Sequence, residues 1–111
     1  MWLEVKAFDL LSFLTDSQDW SKRTFGPPRK DSWKGVIAHI EEELDEIRKE
    51  PYDIEEWMDV VTLGLDGAYR SGATPEMICN KLMFKLEKNK ARQWPDWRTA
   101  EPGKPINHIK N

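Results

Sequence analysis

Apolar side chains recur at helical spacing in four stretches of the chain, and residues that interrupt helices separate these stretches. In the first stretch, Val5, Phe8, Leu11 and Leu14 predict a helix over about residues 3–18. Three further stripes predict three more helices, because residues spaced in this way share one helix face. Their apolar members are Val36, Ile37, Ile40, Leu44 and Ile47 in the second, Ile54, Trp57, Met58, Val61, Leu65, Ala68 and Tyr69 in the third, and Ile78, Leu82 and Leu86 in the fourth.

Residues that cap or break helices give the predicted boundaries of these segments. Residues 24–29 contain Gly26 and two prolines, so we predict an ordered loop after the first helix. Asp31 or Ser32 is a suitable cap for the second helix, and Pro51 ends it. The remaining predicted boundaries are a cap at Asp53 with Glu56 as its capping-box partner, an end at Ser71 and Gly72, a start at Thr74 and Pro75, and an end at Pro95.

The pattern of elements predicts an all-α fold, because no strand pattern or internal repeat is present in the sequence. Short connections favour antiparallel neighbours, so we predict a four-helix bundle over residues 1–98. Residues 99–111 are polar and contain prolines, and we predict a flexible tail there. Six tryptophans and four apolar stripes are many for one domain of 111 residues. We therefore expect a homo-oligomer, a dimer or a tetramer, that buries part of this surface.

Bulk composition argues against several classes of protein. No apolar run approaches the ~20 residues that span a bilayer, so no membrane association is expected. The single Cys79 cannot form an intramolecular disulfide, and Glu4, Lys6 and Asp9 interrupt the N-terminal apolar stretch where a signal peptide would be uncharged. These features predict a cytoplasmic location. A sequence pI of about 5.4 argues against general binding of nucleic acid.

Two acidic pairs occur on neighbouring predicted helices. Glu43 and Glu46 are three residues apart on the second helix, and Glu56 and Asp59 have the same spacing on the third. This spacing puts each pair on one helix face, so packing of the two helices would bring four carboxylates together. Like charges at that distance repel, and a divalent cation such as magnesium, manganese or calcium is the usual compensation. The pattern therefore predicts a metal site, and a site of this kind indicates phosphate chemistry.

A solvated acidic face is the alternative explanation for these carboxylates. Glu43 borders the apolar stripe of its helix, which favours an inward position. His39 is four residues before Glu43 on the same face, and it is a candidate metal ligand, proton acceptor or orienting residue, or else a structural histidine. Asp66 follows Asp59 by seven residues on the same face, where it can hold a substrate hydroxyl or an arginine such as Arg70.

A basic helix face follows the acidic helices. Residues 31–66 carry twelve acidic and three basic side chains, whereas residues 81–111 carry eight basic and three acidic ones. Basic side chains at three- and four-residue steps share one face of the predicted fourth helix. That face is either a solvated surface or a clamp for phosphate groups. The basic positions are Lys81, Lys85, Lys88 and Arg92, with Asn89 beside them.

Aromatic residues flank both charged regions. Phe25 and Trp33 flank the Gly-Pro-Pro loop, and Trp94 and Trp97 follow the basic helix. A nucleotide base can stack on an aromatic face, and a purine offers a larger π-surface than a pyrimidine. We favour Phe25 as a base-stacking residue, because its predicted loop leaves it free to face a ligand. Packing in the core or at an interface is the alternative for all four.

Taken together, the motifs resemble the MazG-type, all-α nucleoside triphosphate pyrophosphohydrolases. Glu42-Glu43-x-x-Glu46 followed by Glu56-x-x-Asp59 is similar to the signature of that family. The match is closer to a phage and bacterial subgroup described as dATP/dGTP pyrophosphohydrolases, although the spacer between Glu46 and Glu56 is shorter than in most of the wider family. The segments that carry this closer resemblance are Thr24-Phe25-Gly26-Pro27, Gly35-Val36-Ile37-Ala38-His39-Ile40, Glu43-Leu44-Asp45-Glu46-Ile47, Glu56-Trp57-Met58-Asp59-Val60, Leu65-Asp66-Gly67-Ala68 and Lys88-Asn89-Lys90-Ala91-Arg92-Gln93-Trp94-Pro95-Asp96-Trp97.

The resemblance implies hydrolysis of purine nucleoside triphosphates such as dATP and dGTP between the α- and β-phosphates, in a bacterial or phage-infected cytoplasm. It implies magnesium, with manganese as a substitute, on catalytic carboxylates of Glu43, Glu46, Glu56 and Asp59, and sites completed by oligomerisation. The alternative function is a non-catalytic helical module that binds a nucleotide, a nucleic acid or a protein. The candidate substrate-binding residues are Phe25, Arg29, His39, Asp66, Lys85, Lys88, Asn89, Arg92 and Trp94.

Overall fold

The computed structural model describes residues 7–110, and its regular elements are four α-helices and one short 3₁₀ turn. The helices are α1 (Leu10–Phe25), α2 (Ser32–Lys49), α3 (Ile54–Arg70) and α4 (Pro75–Ala91), and the turn is Trp97–Thr99. Residues 7–110 contain no strand, so the predicted all-α class is confirmed. Contacts between residues divide the chain into two units between Cys79 and Asn80, a point within α4.

The first helix begins later than the sequence pattern predicted. The predicted span of 3–18 was wrong, because α1 begins at Leu10; residues 3–6 of the prediction lie outside the described residues. Asp9 sets the start, since its carboxylate accepts a hydrogen bond from the backbone N–H of Leu11 at 3.1 Å. An effective cap inside an apolar stretch thus outweighs the helical periodicity on its N-terminal side.

The same helix also ends later than predicted. Thr24 and Phe25 were assigned to a loop, and that assignment was wrong, because both belong to the last turn of α1. Gly26 ends the helix with a φ of +90°, a conformation that glycine adopts without steric cost. Its N–H donates to the carbonyl of Lys22 at 2.9 Å. The helix is therefore interrupted only at Gly26 and Pro27, and the residues before them stay helical.

α2 and α3 begin as predicted and are joined by residues 50–53. Asp53 caps α3, since its carboxylate accepts a hydrogen bond from the backbone N–H of Glu55 at 3.0 Å. The indole N–H of Trp57 donates to the carbonyl of Pro51 at 2.9 Å and so closes the connection. A turn this short makes the two helices neighbours that run in opposite directions.

A glycine lets α2 and α3 approach closely. A Cβ placed on Gly67, near the end of α3, would lie 3.2 Å from Cγ1 of Val36, near the start of α2. The antiparallel arrangement follows, because the other end of α3 meets the middle of α2 at the acidic residues. Ile47 of α2 is buried, whereas the other members of the two predicted stripes are half-buried or exposed.

α4 begins as predicted but ends four residues before Pro95, at Ala91. The hydroxyl of Thr74 caps its start by accepting from the backbone N–H of Met77 at 3.2 Å. At its end, the carbonyl of Asn89 accepts from the backbone N–H of Arg92 at 3.3 Å and from the indole N–H of Trp94 at 2.7 Å. In a continued helix that carbonyl would accept from the backbone N–H four residues on. The predicted end at Pro95 was therefore wrong.

The buried apolar core is small among residues 7–110. Its buried hydrophobic side chains are Leu14, Ile47 and Ile78. Burial of Ile78 confirms one member of the predicted α4 stripe, but Leu82 and Leu86 were predicted incorrectly, because both are exposed. A chain of this length has little interior to offer, so a helical stripe need not be covered within it. None of the helices in residues 7–110 is both long and apolar enough to cross a membrane.

In the second unit, the chain after α4 folds back on itself. The backbone N–H of Ile109 donates to the carbonyl of Gln93 at 2.8 Å. The rings of Trp94 and His108 meet edge to face, with centroids 5.9 Å apart. These contacts place the end of the predicted tail against the segment that follows α4. The predicted boundary after residue 98 stays a prediction.

Two glycines of α3 test the close approach of α2. Gly64→Ala should raise the free energy of unfolding by about 1 kcal/mol, because alanine favours a helix and its Cβ would meet no atom within 4 Å. Gly67→Ala gains the same propensity but must displace Val36, so we expect it to be less stable than Gly64→Ala by about 1 kcal/mol. Denaturant unfolding measures both, and equal stabilities would show that Gly67 does not set the helix separation.

Candidate active site

Three carboxylates converge where α2 and α3 pack together. Glu43 comes from α2, and Glu56 and Asp59 come from the first turns of α3. One oxygen from each residue lies within 4.8 Å of the others. The predicted convergence of acidic side chains from two helices is therefore present for these three residues.

Glu56 carries the electrostatic consequence of this convergence. Partial burial raises the pKa of its carboxyl above the ordinary value of glutamate, and the nearby charges of Asp59, Asp53, Glu43 and Glu46 raise it further. Both causes act in the same direction, because each disfavours the ionised form. The metal-free protein thus holds like charges together at an energetic cost.

Glu46 is the member of the predicted set that lies outside the convergent three. Its side chain is 52% exposed, compared with 18% for Glu43, and its carboxylate lies 3.7 Å from the ammonium of Lys49. It is close enough to contribute to the raised pKa of Glu56. A rotation of its side chain away from Lys49 is needed before it can join the other carboxylates, so its role as a ligand stays a prediction.

A cavity of about 820 Å³ opens beside the carboxylates. Glu43 and Asp59 line it, together with other residues of α1, α2, α3 and the loop after α1. This volume lies within the range of pockets that bind small molecules. Four of the predicted substrate-binding residues also line it: Phe25, Arg29, His39 and Asp66.

His39 lies next to Glu43 on α2. Its Nε2 is 3.5 Å from a carboxylate oxygen of Glu43, as expected for residues four apart on a helix. The imidazole is half exposed and lines the cavity. This position is compatible with orienting Glu43, and the choice among the predicted roles of His39 stays open.

Two aromatic rings form one wall of the cavity. Trp20 and Phe25 of α1 meet edge to face, with centroids 5.5 Å apart, and are 53% and 64% exposed. Phe25 was predicted to lie in a loop, but it lines the cavity from the last helical turn, and its role in base stacking stays a prediction. Trp20 was not identified from the sequence as a cavity-lining residue, because the predicted first helix ended before it. Trp33 does not line the cavity.

Asp66 engages an arginine, which is one of its two predicted partners. One carboxylate oxygen accepts from Nε of Arg70 at 2.9 Å, and the other accepts from the hydroxyl of Ser21 at 2.6 Å. Ser21 is buried and belongs to α1, so this cluster joins α1 to α3. The sequence offered no signal for Ser21, which is separated from Asp66 by 45 positions.

The other predicted substrate-binding residues belong to the second unit. The guanidinium of Arg92 donates to the side-chain oxygen of Asn89 at 3.0 Å, and Trp94 donates to the carbonyl of the same residue. The ammonium of Lys88 lies 5.9 Å from the ring centroid of Phe84. Lys85 is exposed. Their role in binding phosphates stays a prediction.

Comparison with known proteins identifies the family. A family model described as dATP/dGTP pyrophosphohydrolase matches residues 13–111, which is most of the chain. The chain belongs to the dATP/dGTP pyrophosphohydrolase family. The predicted resemblance is thereby confirmed. The matched range includes the convergent carboxylates, the cavity-lining residues of α1 from residue 13 onwards, and the basic segment after residue 80.

The chain is similar in sequence to a phage protein. The chain is 37% identical over 86 residues to the Eaa protein of Salmonella phage P22. The aligned region covers 76% of this chain but 26% of that protein, so the chain spans about a quarter of the length of the relative it matches. No solved structure matches the chain.

The raised pKa of Glu56 predicts an effect on stability in the absence of metal. A raised pKa means that the folded state binds the proton more tightly than the unfolded state does. The contribution of Glu56 therefore favours folding below the ordinary pKa of 4.5 and is lost as the pH rises through the higher folded value. With a metal chelator present at pH 7, Glu56→Gln should have a higher melting temperature than the wild type. The difference in melting temperature should shrink as the pH falls.

Glu55→Gln is the matched control for this measurement. Glu55 also lies in the first turn of α3, so both substitutions lose the same interaction with the helix dipole. Only Glu56 belongs to the convergent carboxylates. Equal changes in melting temperature for the two variants would show that repulsion within the cluster does not destabilise the metal-free protein.

Proposed function

We propose that the chain is a metal-dependent nucleoside triphosphate pyrophosphohydrolase that acts on purine deoxynucleotides such as dATP and dGTP. The observation that carries the proposal is the convergence of Glu43, Glu56 and Asp59 beside a cavity of nucleotide size. Membership of the dATP/dGTP pyrophosphohydrolase family supports the same activity. In the proposed reaction, water cleaves the phosphoanhydride bond between the α- and β-phosphates. The oxygen and protons of the water are shared between the two products, a nucleoside monophosphate and pyrophosphate.

The carboxylate cluster fits a hard divalent cation, for which we propose magnesium or manganese. Oxygen ligands on opposite sides of a magnesium ion lie about 4 Å apart, twice the length of one bond. The oxygens of Glu43, Glu56 and Asp59 lie within 4.8 Å of one another, so small rotations suffice to bind one ion. A bound divalent cation would neutralise phosphate charge and lower the pKa of a water molecule.

The protein's own groups have distinct tasks in this proposal. Glu43, Glu56 and Asp59 hold the cation and thereby fix the phosphate end of the substrate, and Glu46 joins them when its side chain rotates. His39 orients Glu43, which lies 3.5 Å away. Catalysis of this kind consists of positioning and electrostatic stabilisation, so it requires no serine or cysteine nucleophile.

We propose that the base of the nucleotide packs on the wall formed by Trp20 and Phe25. Both rings are more than half exposed and line the same cavity as Glu43 and Asp59. A flat aromatic face binds a base by stacking, and a purine presents the larger surface. Arg29 lines the cavity as well and supplies a positive charge for the phosphates.

Two further parts of the proposal concern the second unit and assembly. We propose that its polar and basic residues contact phosphate oxygens, and that copies of the chain associate through exposed apolar side chains of α4 such as Leu82, Phe84 and Leu86. The small buried core among residues 7–110 supports association. The residues proposed to contact phosphates are Lys85, Lys88, Asn89 and Arg92, with Trp94 beside them.

The proposed activity predicts release of pyrophosphate from dATP and dGTP that requires magnesium or manganese. Glu43→Gln should lower kcat/KM by about 100-fold or more, because a carboxylate that holds the catalytic charge is lost while the shape is kept. A coupled pyrophosphate assay on a panel of nucleotides, with and without chelator, measures both effects.

Glu41→Gln is the control for the same assay. Glu41 lies on α2, is exposed and does not line the cavity, so its loss should leave turnover near that of the wild type. Metal-independent turnover, or equal rates for the two variants, would contradict the metal site. Binding of nucleotides without turnover by the wild type would instead favour the alternative of a non-catalytic binding module.

The aromatic wall predicts a loss of affinity that is separate from the metal site. Phe25→Ala should weaken binding of dATP by about 1–3 kcal/mol, which is the usual contribution of one base stack. Binding of Mn²⁺ should stay unchanged, because Phe25 is not one of the convergent carboxylates. Tyr52→Ala is the control, since Tyr52 is also an exposed aromatic residue but does not line the cavity. Unchanged affinity for dATP in Phe25→Ala would remove this residue from the base site.

A further inference from the structure

A polar cluster of Ser21, Asp66 and Arg70 joins α1 to α3 and forms part of the cavity lining. The side chain of Arg70 is only 8% exposed, and Ser21 is buried. Nε of Arg70 donates to Asp66 at 2.9 Å, and Nη2 donates to the hydroxyl of Ser21 at 2.8 Å and to its carbonyl at 3.3 Å. The hydroxyl of Ser21 in turn donates to Asp66 at 2.6 Å. A buried arginine thus has its charge paired and its donors directed by a fixed set of acceptors.

Arg70 also contacts the end of α1. Its Nη1 donates to the carbonyl of Gly26 at 3.2 Å, and Gly26 is the residue that ends the helix. The guanidinium therefore contacts α1 at two points, Ser21 and Gly26. A planar group that donates from three nitrogens in fixed directions holds these two points at a set separation.

The two contact points coincide with the aromatic wall. Trp20 immediately precedes Ser21, and Phe25 immediately precedes Gly26. Each ring is therefore attached to a backbone that Arg70 contacts one residue away. Movement of the C-terminal end of α1, residues 20–25, away from Arg70 would carry both rings with it.

α3 connects this cluster to the carboxylates. Asp59 belongs to the convergent carboxylates, and Asp66 follows it by seven residues, or about 10 Å along the helix. One rigid helix therefore carries a metal-binding side chain near one end and the partners of α1 near the other. The position of the aromatic wall relative to the carboxylates depends on how firmly α1 is held to α3.

We infer that Arg70 and Asp66 are positioning residues, which set the aromatic wall at a fixed distance from the carboxylates and so fix where a nucleotide base binds. This inference rests on the proposed function. Asp66 acts through its hydrogen bonds to Ser21 and Arg70. Loss of the cluster weakens the binding of ligands that reach both ends of the cavity, and spares ligands that reach only the carboxylates.

Calorimetry in the presence of Mg²⁺ measures the Kd of one ligand of each kind. A dATP analogue with a methylene group between the α- and β-phosphorus atoms spans both ends, and inorganic pyrophosphate reaches the metal site alone. In Arg70→Ala and Arg70→Lys, the Kd of the analogue should rise about tenfold or more, since small misplacements of a binding group have effects of this size or larger. The Kd of pyrophosphate should stay within about twofold of the wild type. Lysine keeps the charge but cannot contact Asp66, Ser21 and Gly26 together.

Arg23→Ala is the control, because Arg23 is an arginine of α1, the helix that Arg70 contacts, and pairs with Asp19 on the surface. It should leave both Kd values unchanged. Where the Arg70 variants fail to fold, Ser21→Ala and Asp66→Asn take their place, because each removes a single hydrogen-bonding group of the same cluster. The ratio of the two Kd values in these variants then tests the inference. A lower melting temperature with an unchanged ratio of the two Kd values would overturn the inference, as would equal losses for both ligands.

The measurement also distinguishes failure of the inference from failure of the proposed function. A wild-type chain that binds the analogue but does not hydrolyse dATP would contradict the proposed function, and the ratio of Kd values would still decide the role of Arg70. A wild-type chain that hydrolyses dATP, with variants that keep the wild-type ratio, would overturn the inference alone. A wild-type chain that binds neither ligand with Mg²⁺ would overturn both.

Discussion

The packing of α2 against α3 is the contact on which the candidate site depends. A connection of four residues, closed by Trp57 and Pro51, makes the two helices neighbours. Gly67 then allows α3 to approach Val36 of α2. Apolar packing along this pair supplies the free energy that holds three acidic side chains together against their repulsion. The raised pKa of Glu56 reflects this repulsion together with the partial burial of its carboxyl.

α1 is attached to this pair by different means. Leu14 is buried, but the strongest specific contacts between α1 and α3 are the hydrogen bonds among Ser21, Asp66 and Arg70. Hydrogen bonds to charged groups have defined directions, whereas apolar contacts tolerate sliding and rotation. A helix held in this way can present Trp20 and Phe25 in one orientation. A small core combined with a directional polar contact therefore suits a helix that forms one wall of the cavity.

The departures from the predicted helix boundaries have a common cause. The apolar period suggested that α1 begins at residue 3, and the glycine and prolines suggested that it ends well before Phe25. In the structure, the capping hydrogen bond of Asp9 fixes the start of α1, and the positive φ of Gly26 fixes its end. At α4, the indole of Trp94 takes the carbonyl that a longer helix would need. Boundaries depend on such single contacts, whereas periodicity reports only the middle of a helix.

The sequence by itself determined the helical class, several helix caps, the spacing of the acidic pairs and the family resemblance, because each depends on residues close together in the chain. Only the tertiary structure decided that Glu43, Glu56 and Asp59 converge while Glu46 points toward Lys49. It also decided which aromatic residues share a cavity, and it joined Ser21 to a carboxylate 45 positions away. These outcomes depend on the rotation of each helix about its axis and on contacts between distant segments, which local periodicity does not specify.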